Sequence, residues 1–272
     1  MKKFVLALTT LAAFTGSALA ADMAPRTYSK APEPVAPVAS WTGCFVGAGG
    51  GGGMFSNNSH LVTNPAVTPP GYVRASTDLT QGGQGWLATV QAGCDYQFAL
   101  GQFGNRFVIG AFADGDWTNI AGDHTGDTPG RVGLSATDKQ TINNQWAVGA
   151  RAGYLVTPSL LTYVTAGYTQ AQLSGSTYRD TLGVLTGDNI SSQTYHGWFI
   201  GTGDEYKLDF LPGLFWKTEY RFSEFGSKDV PVVFNATGLP NGFLEHTHIY
   251  ENSIRSELVY RFNWSGPVIA KY

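Results

Sequence analysis

An eight-stranded, antiparallel, up-and-down transmembrane β-barrel is the fold this sequence predicts. Three observations predict it. Eight stretches with a period of two run from residue 41 to residue 263, and no convincing amphipathic helix interrupts them. The connections between them alternate between short and long. One face of the stretches is aromatic and aliphatic while the other gathers charges of both signs. Short turns at one end and long polar loops at the other are the layout of an outer-membrane barrel.

The elements follow in chain order. MKKFVLALTTLAAFTGSALA, residues 1–20, has two lysines, an apolar run and an A-x-A site, which predicts a secretory signal peptide cleaved after Ala20. Its apolar run is too short for a spanning helix. Residues 21–40 are rich in Pro and Ala and predict an extended periplasmic tether. The barrel is expected over 41–264, with a tail at 265–272. Its strands fall near 41–55, 84–98, 105–118, 140–156, 160–173, 193–209, 213–226 and 248–263. Links near 99–104, 157–159 and 210–212 are short turns. Loops 56–83, 119–139, 174–192 and 227–247 are long and rich in Gly, Asn, Asp, Ser and Thr. An even strand count leaves both ends of the barrel on the periplasmic side.

Composition agrees. Charged residues make up 14% of the chain, well below the usual quarter, and aromatics make up 13%. Removing residues 1–20 takes away two lysines and no acid, so the net charge of −3 becomes −5. Nothing in that balance asks for nucleic acid.

The faces are explicit strand by strand. In ELVYRFNW (257–264), Leu258, Tyr260, Phe262 and Trp264 share one side, and Glu257 and Arg261 lie on the other. In the second strand Trp86, Ala88, Val90, Ala92, Cys94, Tyr96 and Phe98 oppose Thr89, Gln91, Gly93, Asp95 and Gln97. In the fourth, Trp146, Val148, Ala150, Ala152, Tyr154 and Val156 oppose Gln145, Gly149 and Arg151. In the seventh, Trp216, Thr218, Tyr220 and Phe222 oppose Lys217, Glu219 and Arg221.

The charged side collects Asp114, Asp116, Arg151, Glu205, Lys207, Lys217, Glu219, Arg221, Arg255 and Glu257, five acids and five bases. No helical layer is present to cover the aromatic side of a soluble protein. The charges are therefore expected inside as an ion-pair network, because unpaired buried charge is costly. The aromatic side then faces lipid. Eight strands enclose a lumen that side chains can fill, whereas an aqueous pore takes around sixteen. Little conduction is expected.

The residues also resemble a known family. WTGCFVGAGGGGG resembles the WTGFYVG opening strand of small alphaproteobacterial outer-membrane barrels, the "porin family" or outer-membrane immunogenic proteins related to the OmpA-type barrel. GWFIGTGDEYKL resembles that family's GWTVGAGVEY strand, WKTEYRFSEFG its LEY…DFG strand, and LVYRFNWSGPVIAKY its terminal strand and tail. The resemblance spans the mature chain. It implies that Leu258, Tyr260 and Phe262 form a C-terminal signal read by the outer-membrane assembly machinery. Two positions depart from the pattern. Cys44 replaces an aromatic, and Asp204 stands where an apolar residue would face lipid. Either Asp204 lies near the periplasmic rim or the register slips there.

Other candidate chemistry is thin. Gly47–Gly52 formally fits G-x-G-x-x-G but lacks the following helix, so the glycines are read as room for interior side chains. Cys44 and Cys94 are the only cysteines. They either form a disulfide between neighbouring strands in an oxidising compartment or are two small residues facing lipid. His246 and His248, two apart, make a weak metal pair, and His60 and His124 sit in loops. His196 with Ser191 and Ser192 would suit a lipid A-modifying enzyme. Asp114 and Asp116 could do acid–base work, but an ion pair with an interior Arg suits them better.

The expected protein is a non-enzymatic outer-membrane barrel with a structural and surface-interaction role and no cofactor. Its expected partners are outer-membrane lipids, lipopolysaccharide, the assembly machinery and an external ligand at the long loops. A small-solute channel is the alternative.

Overall fold

The computed structural model describes residues 40–67, 71–104, 106–128, 131–180 and 182–262. The expected signal peptide, all of the tether but Ser40, and the tail lie outside the described residues. Ten strands form one antiparallel sheet: β1 (Gly43–Thr63), β2 (Leu79–Phe98), β3 (Phe107–Thr128), β4 (Arg131–Thr157), β5 (Leu160–Leu173), β6 (Ser176–Arg179), β7 (Leu185–Ile190), β8 (Gln193–Lys207), β9 (Leu214–Phe234) and β10 (Pro240–Phe262).

Eight of them close a ring. Neighbours pair in the order β1-β2-β3-β4-β5-β8-β9-β10, and β10 pairs with β1 from Cys44↔Phe262 to Thr63↔Phe243. Closure is what a β-structure in lipid requires, since an open edge would leave backbone groups without partners. The remaining strands, β6 and β7, form a hairpin that attaches to β9 at Asp188↔Phe234 and Ile190↔Val232.

The strands are much longer than the period-two stretches indicate. At a rise of ~3.3 Å per residue and a tilt of ~40°, a 21-residue strand such as β9 climbs roughly 50 Å. The apolar band of an outer-membrane barrel is only about 25 Å tall. The expected loops 119–139 and 227–247 are therefore mostly strand, 56–83 is strand at its two ends (56–63 and 79–83), and 174–192 holds the β6–β7 hairpin. The physical reason is that water on the outer face removes the apolar alternation while the backbone ladder continues. The short links are residues 99–106, 158–159 and 208–213, all at the end where β1 begins and β10 finishes.

Faces alternate as the pleat demands. Trp86, Trp117, Trp146 and Trp198 point outward in one row, and Tyr96, Tyr206, Trp216, Tyr260 and Phe262 point outward nearer the short-turn end. Two aromatic rows flanking an apolar band are the girdles of a membrane barrel. Asp204 points outward three residues from the end of β8 and accepts a 2.6 Å hydrogen bond from Thr162 Oγ1. The register does not slip, and the carboxylate sits at the short-turn rim.

Candidate functional site: a filled lumen and its distal extension

The lumen is stacked with side chains. Trp41 is fully buried at the short-turn end, with its indole Nε1 donating to Pro158 O at 3.3 Å and its ring 4.8 Å from that of Phe215. Above it lies a four-membered ionic ring. Asp95, Arg151, Glu205 and Arg261 come from β2, β4, β8 and β10, which are alternate strands of the barrel. Filling a layer from alternate strands is how small barrels pack their interior. Arg151 Nε donates to Asp95 Oδ1 at 2.7 Å, and its Nη1 donates to Glu205 Oε2 at 3.0 Å. Arg261 Nη1 donates to Asp95 Oδ2 at 2.6 Å, and its Nε donates to Glu205 Oε1 at 2.8 Å. Acid and base alternate, so the ring is neutral. Aromatic faces cover both guanidinium groups: Phe45 lies 4.4 Å from Arg151, and Trp41 lies 4.7 Å from Arg261.

A second ionic layer runs through the middle as a chain. Glu257 and Glu219 share Lys217 Nζ at 3.2 Å each. Glu219 and Asp114 each lie 2.8 Å from Arg221 Nη2. Asp114 and Asp116 flank Arg255 at 3.6 and 3.1 Å. Gln91 ties in, accepting from Lys217 Nζ and donating to Glu257. Phe112 and Phe199 separate this chain from the ring, and Arg221 lies 4.2 Å over Phe199. The lumen is thus not lined by charge alone: apolar layers alternate with ionic ones.

Nine of the ten charged positions singled out in the sequence meet in these two layers. Lys207 is the exception. It ends β8, past the ring, and makes no ion pair with a described residue, because the rim lets its ammonium reach water. Sequence reasoning left out Asp95 and Arg261, although their parity with Gln91 and Glu257 already put them on the inner face. Cys44 and Cys94 are directly opposed on β1 and β2 and are joined by a disulfide on the outer wall.

Beyond the upper tryptophan row the barrel continues as a distal extension. Inside it, buried His124 and Glu245 stand 3.2 Å apart, and Tyr178 Oη donates to Glu245 at 2.9 Å. Burial alone would depress His124, but the Glu245 charge beside it holds the imidazole above its ordinary value. Leu61, Val230, Val232 and Ile190 pack over this group. On the outside, residues 71–78 fold back onto the wall. Tyr72 Oη donates to Asp229 at 2.5 Å, His60 meets Asp78 at 3.2 Å, and His246 meets Asp229 at 2.6 Å. His248 is held by Glu224 at 3.1 Å. Each outer-wall histidine of β1 and β10 therefore has its own carboxylate. Among the described residues no group of three or more His, Cys, Asp or Glu is arranged to hold a metal. His196 points outward, with its Nδ1 2.5 Å from Tyr168 Oη, away from the lumen.

The "31 kDa outer-membrane immunogenic protein" of Brucella melitensis biotype 1 is 30% identical over 271 residues, covering 96% of this chain and all of the relative. The protein of the same name from Brucella suis biovar 1 matches equally. The chain belongs to this family of outer-membrane immunogenic proteins. It is a bacterial outer-membrane β-barrel protein with a role at the cell surface and envelope. No family model matches the chain. Among solved structures, the outer membrane protein OprG from Pseudomonas aeruginosa aligns over 81% of this chain and 97% of its own, at 11% identity and a TM-score of 0.49. The ring of strand pairings, rather than that likeness, defines the fold of this family member.

Proposed function

We propose that this barrel is a sealed, non-enzymatic anchor that carries its distal extension above the outer membrane as a contact surface. The observation that carries this reading is the ring of Asp95, Arg151, Glu205 and Arg261 beneath the aromatic and ionic layers. Moving an ion through it would break charge-assisted bonds in a site from which water is excluded. The extension supplies the surface. Leu182, Val184, Leu185, Phe234 and Leu239 are exposed on the β6–β7 hairpin and the neighbouring β9–β10 turn. Exposed apolar side chains gathered at a rim suit recognition of an external partner. The outward row of Leu258, Tyr260 and Phe262 on β10 suits docking to the assembly machinery during insertion, and the outer wall suits lipid and lipopolysaccharide.

Planar-bilayer recording tests the sealed lumen. With insertion verified by a heat-dependent gel shift, a silent bilayer is expected. Steady conductance steps from the folded barrel would sink the proposal and favour a small-solute channel.

A further inference from the structure

The outer wall is not uniformly bulky. The run Gly49–Gly53 on β1 places Gly50 and Gly52 on the lipid side, where neither offers a side chain. Their inward neighbours have a separate reason to be glycine: a Cβ on Gly51 would stand 1.9 Å from the Ile254 carbonyl oxygen of β10. Gly52 has no such conflict. A Cβ there would meet only the Gly85 carbonyl oxygen, at 3.4 Å. What its lack of a side chain creates is a furrow of about 710 Å³ in the wall. Gly52 lies in its floor. Trp86 stands beside Gly52 on β2, Ile254 stands beside it on β10, and Tyr220 follows on β9.

The furrow has a polar end. Met54 is flanked in register by Gln84 and Asn252, level with the upper tryptophan row and so with the outer-leaflet interface. Tyr220 Oη donates to Asn252 Oδ1 at 2.6 Å. That bond leaves the Asn252 amide N–H groups, like the Gln84 carboxamide, without a hydrogen-bond partner among the described residues. From this end the furrow runs down to Gly52 and Ile254, toward the hydrocarbon layer.

We propose that this furrow binds one acyl chain of outer-leaflet lipopolysaccharide. The Gln84 and Asn252 amides would hydrogen-bond the oxygen atoms at the head of that chain. The occupant follows from position and shape. A furrow at this depth meets only lipid or another membrane protein. Its lining on β1, β2, β9 and β10 is apolar at Gly52 and Ile254 and carries amides at Gln84 and Asn252, the chemistry of one acyl chain with oxygen atoms at its head. Glycine within a strand commonly marks such a close approach. The inference rests on the lipid-facing wall and not on the sealed lumen, so a conducting barrel would leave it standing.

Native mass spectrometry of the full mature protein in nanodiscs of phosphatidylcholine doped with hexa-acylated lipopolysaccharide tests it. The wild type is expected to retain one lipopolysaccharide. Gly52→Leu fills the floor and is expected to lower retention about tenfold, equivalent to roughly 1.4 kcal/mol. Gly115→Leu is the control. It adds the same side chain on the outer wall of β3, where a Cβ meets nothing within 4 Å, and should retain the lipid. The double variant Gln84→Ala/Asn252→Ala leaves the floor open and should also weaken retention, which keeps the test decisive if Gly52→Leu fails the gel-shift check. Equal retention by the wild type and the folded variants would overturn the proposal. So would a wild type that holds no lipid, or one that forms a dimer which Gly52→Leu dissolves.

Discussion

Asp95 and Arg261 stand 166 residues apart in sequence and 2.6 Å apart in the lumen. They belong to β2 and β10, which do not pair in register, because β1 lies between them. Their contact therefore passes over the inner face of the opening strand. It can form only once β10 has docked on β1, so the ionic ring is complete only in the closed barrel. The ring thus locks the seam through side chains, in parallel with the backbone ladder.

Removing one member should expose that lock. Arg261→Met leaves Asp95 and Glu205 buried with Arg151 as their only remaining basic partner in the ring. Breaking a buried pair by deleting one side costs about 3–5 kcal/mol. Urea unfolding from lipid vesicles, followed by tryptophan fluorescence, should show a loss of that order. A change below about 1 kcal/mol would mean that the ring adds little to closure.

The Cys44–Cys94 bond makes a separate prediction. It joins the first two strands on the outer wall and closes a span of 50 residues. The chain-entropy model gives such a loop about 4 kcal/mol. Protein unfolded without reductant should take up no maleimide, and reduction should release two reactive thiols. Two thiols before reduction would sink the assignment.

Much of this arrangement was legible in the sequence. Parity placed Arg151, Glu219 and Glu257 inside and Trp146, Trp216 and Tyr260 outside, because one buried face and one lipid face leave a clean period of two. Parity also read Cys44 and Cys94 onto the same wall, but whether they meet depended on the register between strands, which alternation within a strand does not fix. The distal extension was not legible. Around Asn57–Ser59 or Asp229–Val230 both faces carry polar residues or a bulge shifts the parity, so the segments resemble loops although their backbone stays paired. The layered lumen was half legible. The charges were visible, but Phe112 and Phe199 had no reason to be assigned between them until the strands were set in register.

The docked segment 71–78 should respond to pH. Burial raises the Tyr72 phenol, and its bond to Asp229 carries it to about 12. Burial would also raise Asp229, but the hydrogen bonds from Tyr72 and His246 hold it below its ordinary 3.8. Burial, with Arg74 and His246 nearby, lowers His60 from 6.5. A raised phenol stabilises docking below pH 10 and loses that contribution as pH climbs toward 12. A lowered His60 stabilises docking above 6.5 and loses it as pH falls through its folded value. The lowered Asp229 adds a further loss at lower pH still. Docking should thus be firmest between about pH 6.5 and 10. Hydrogen exchange at residues 71–78, corrected for intrinsic rates, should be slowest in that window. A flat profile from pH 4 to 12 would refute the docking account.

The His124–Glu245 pair allows a sharper test, because both groups lie inside the distal extension with little water to screen them. Burial favours neutral imidazole, and Glu245 opposes it strongly enough to hold His124 above 6.5. Burial likewise favours a protonated Glu245. The His124 charge and the hydrogen bond from Tyr178 hold it below 4.5 instead. The raised histidine gives stability that is fully present below pH 6.5 and lost as pH rises through its folded value. The lowered glutamate gives stability present above pH 4.5 and lost as pH falls through its own. The pair should therefore be tightest between about pH 4.5 and 6.5 and should loosen on either side. Glu245→Gln removes the anion and leaves desolvation in command, so His124 should move from above 6.5 to below it. Titration of the His124 ring by NMR reads that change of sign directly. If His124 titrates at its ordinary value in both proteins, the imidazole is solvated, and the distal extension is an open mouth rather than a packed cap.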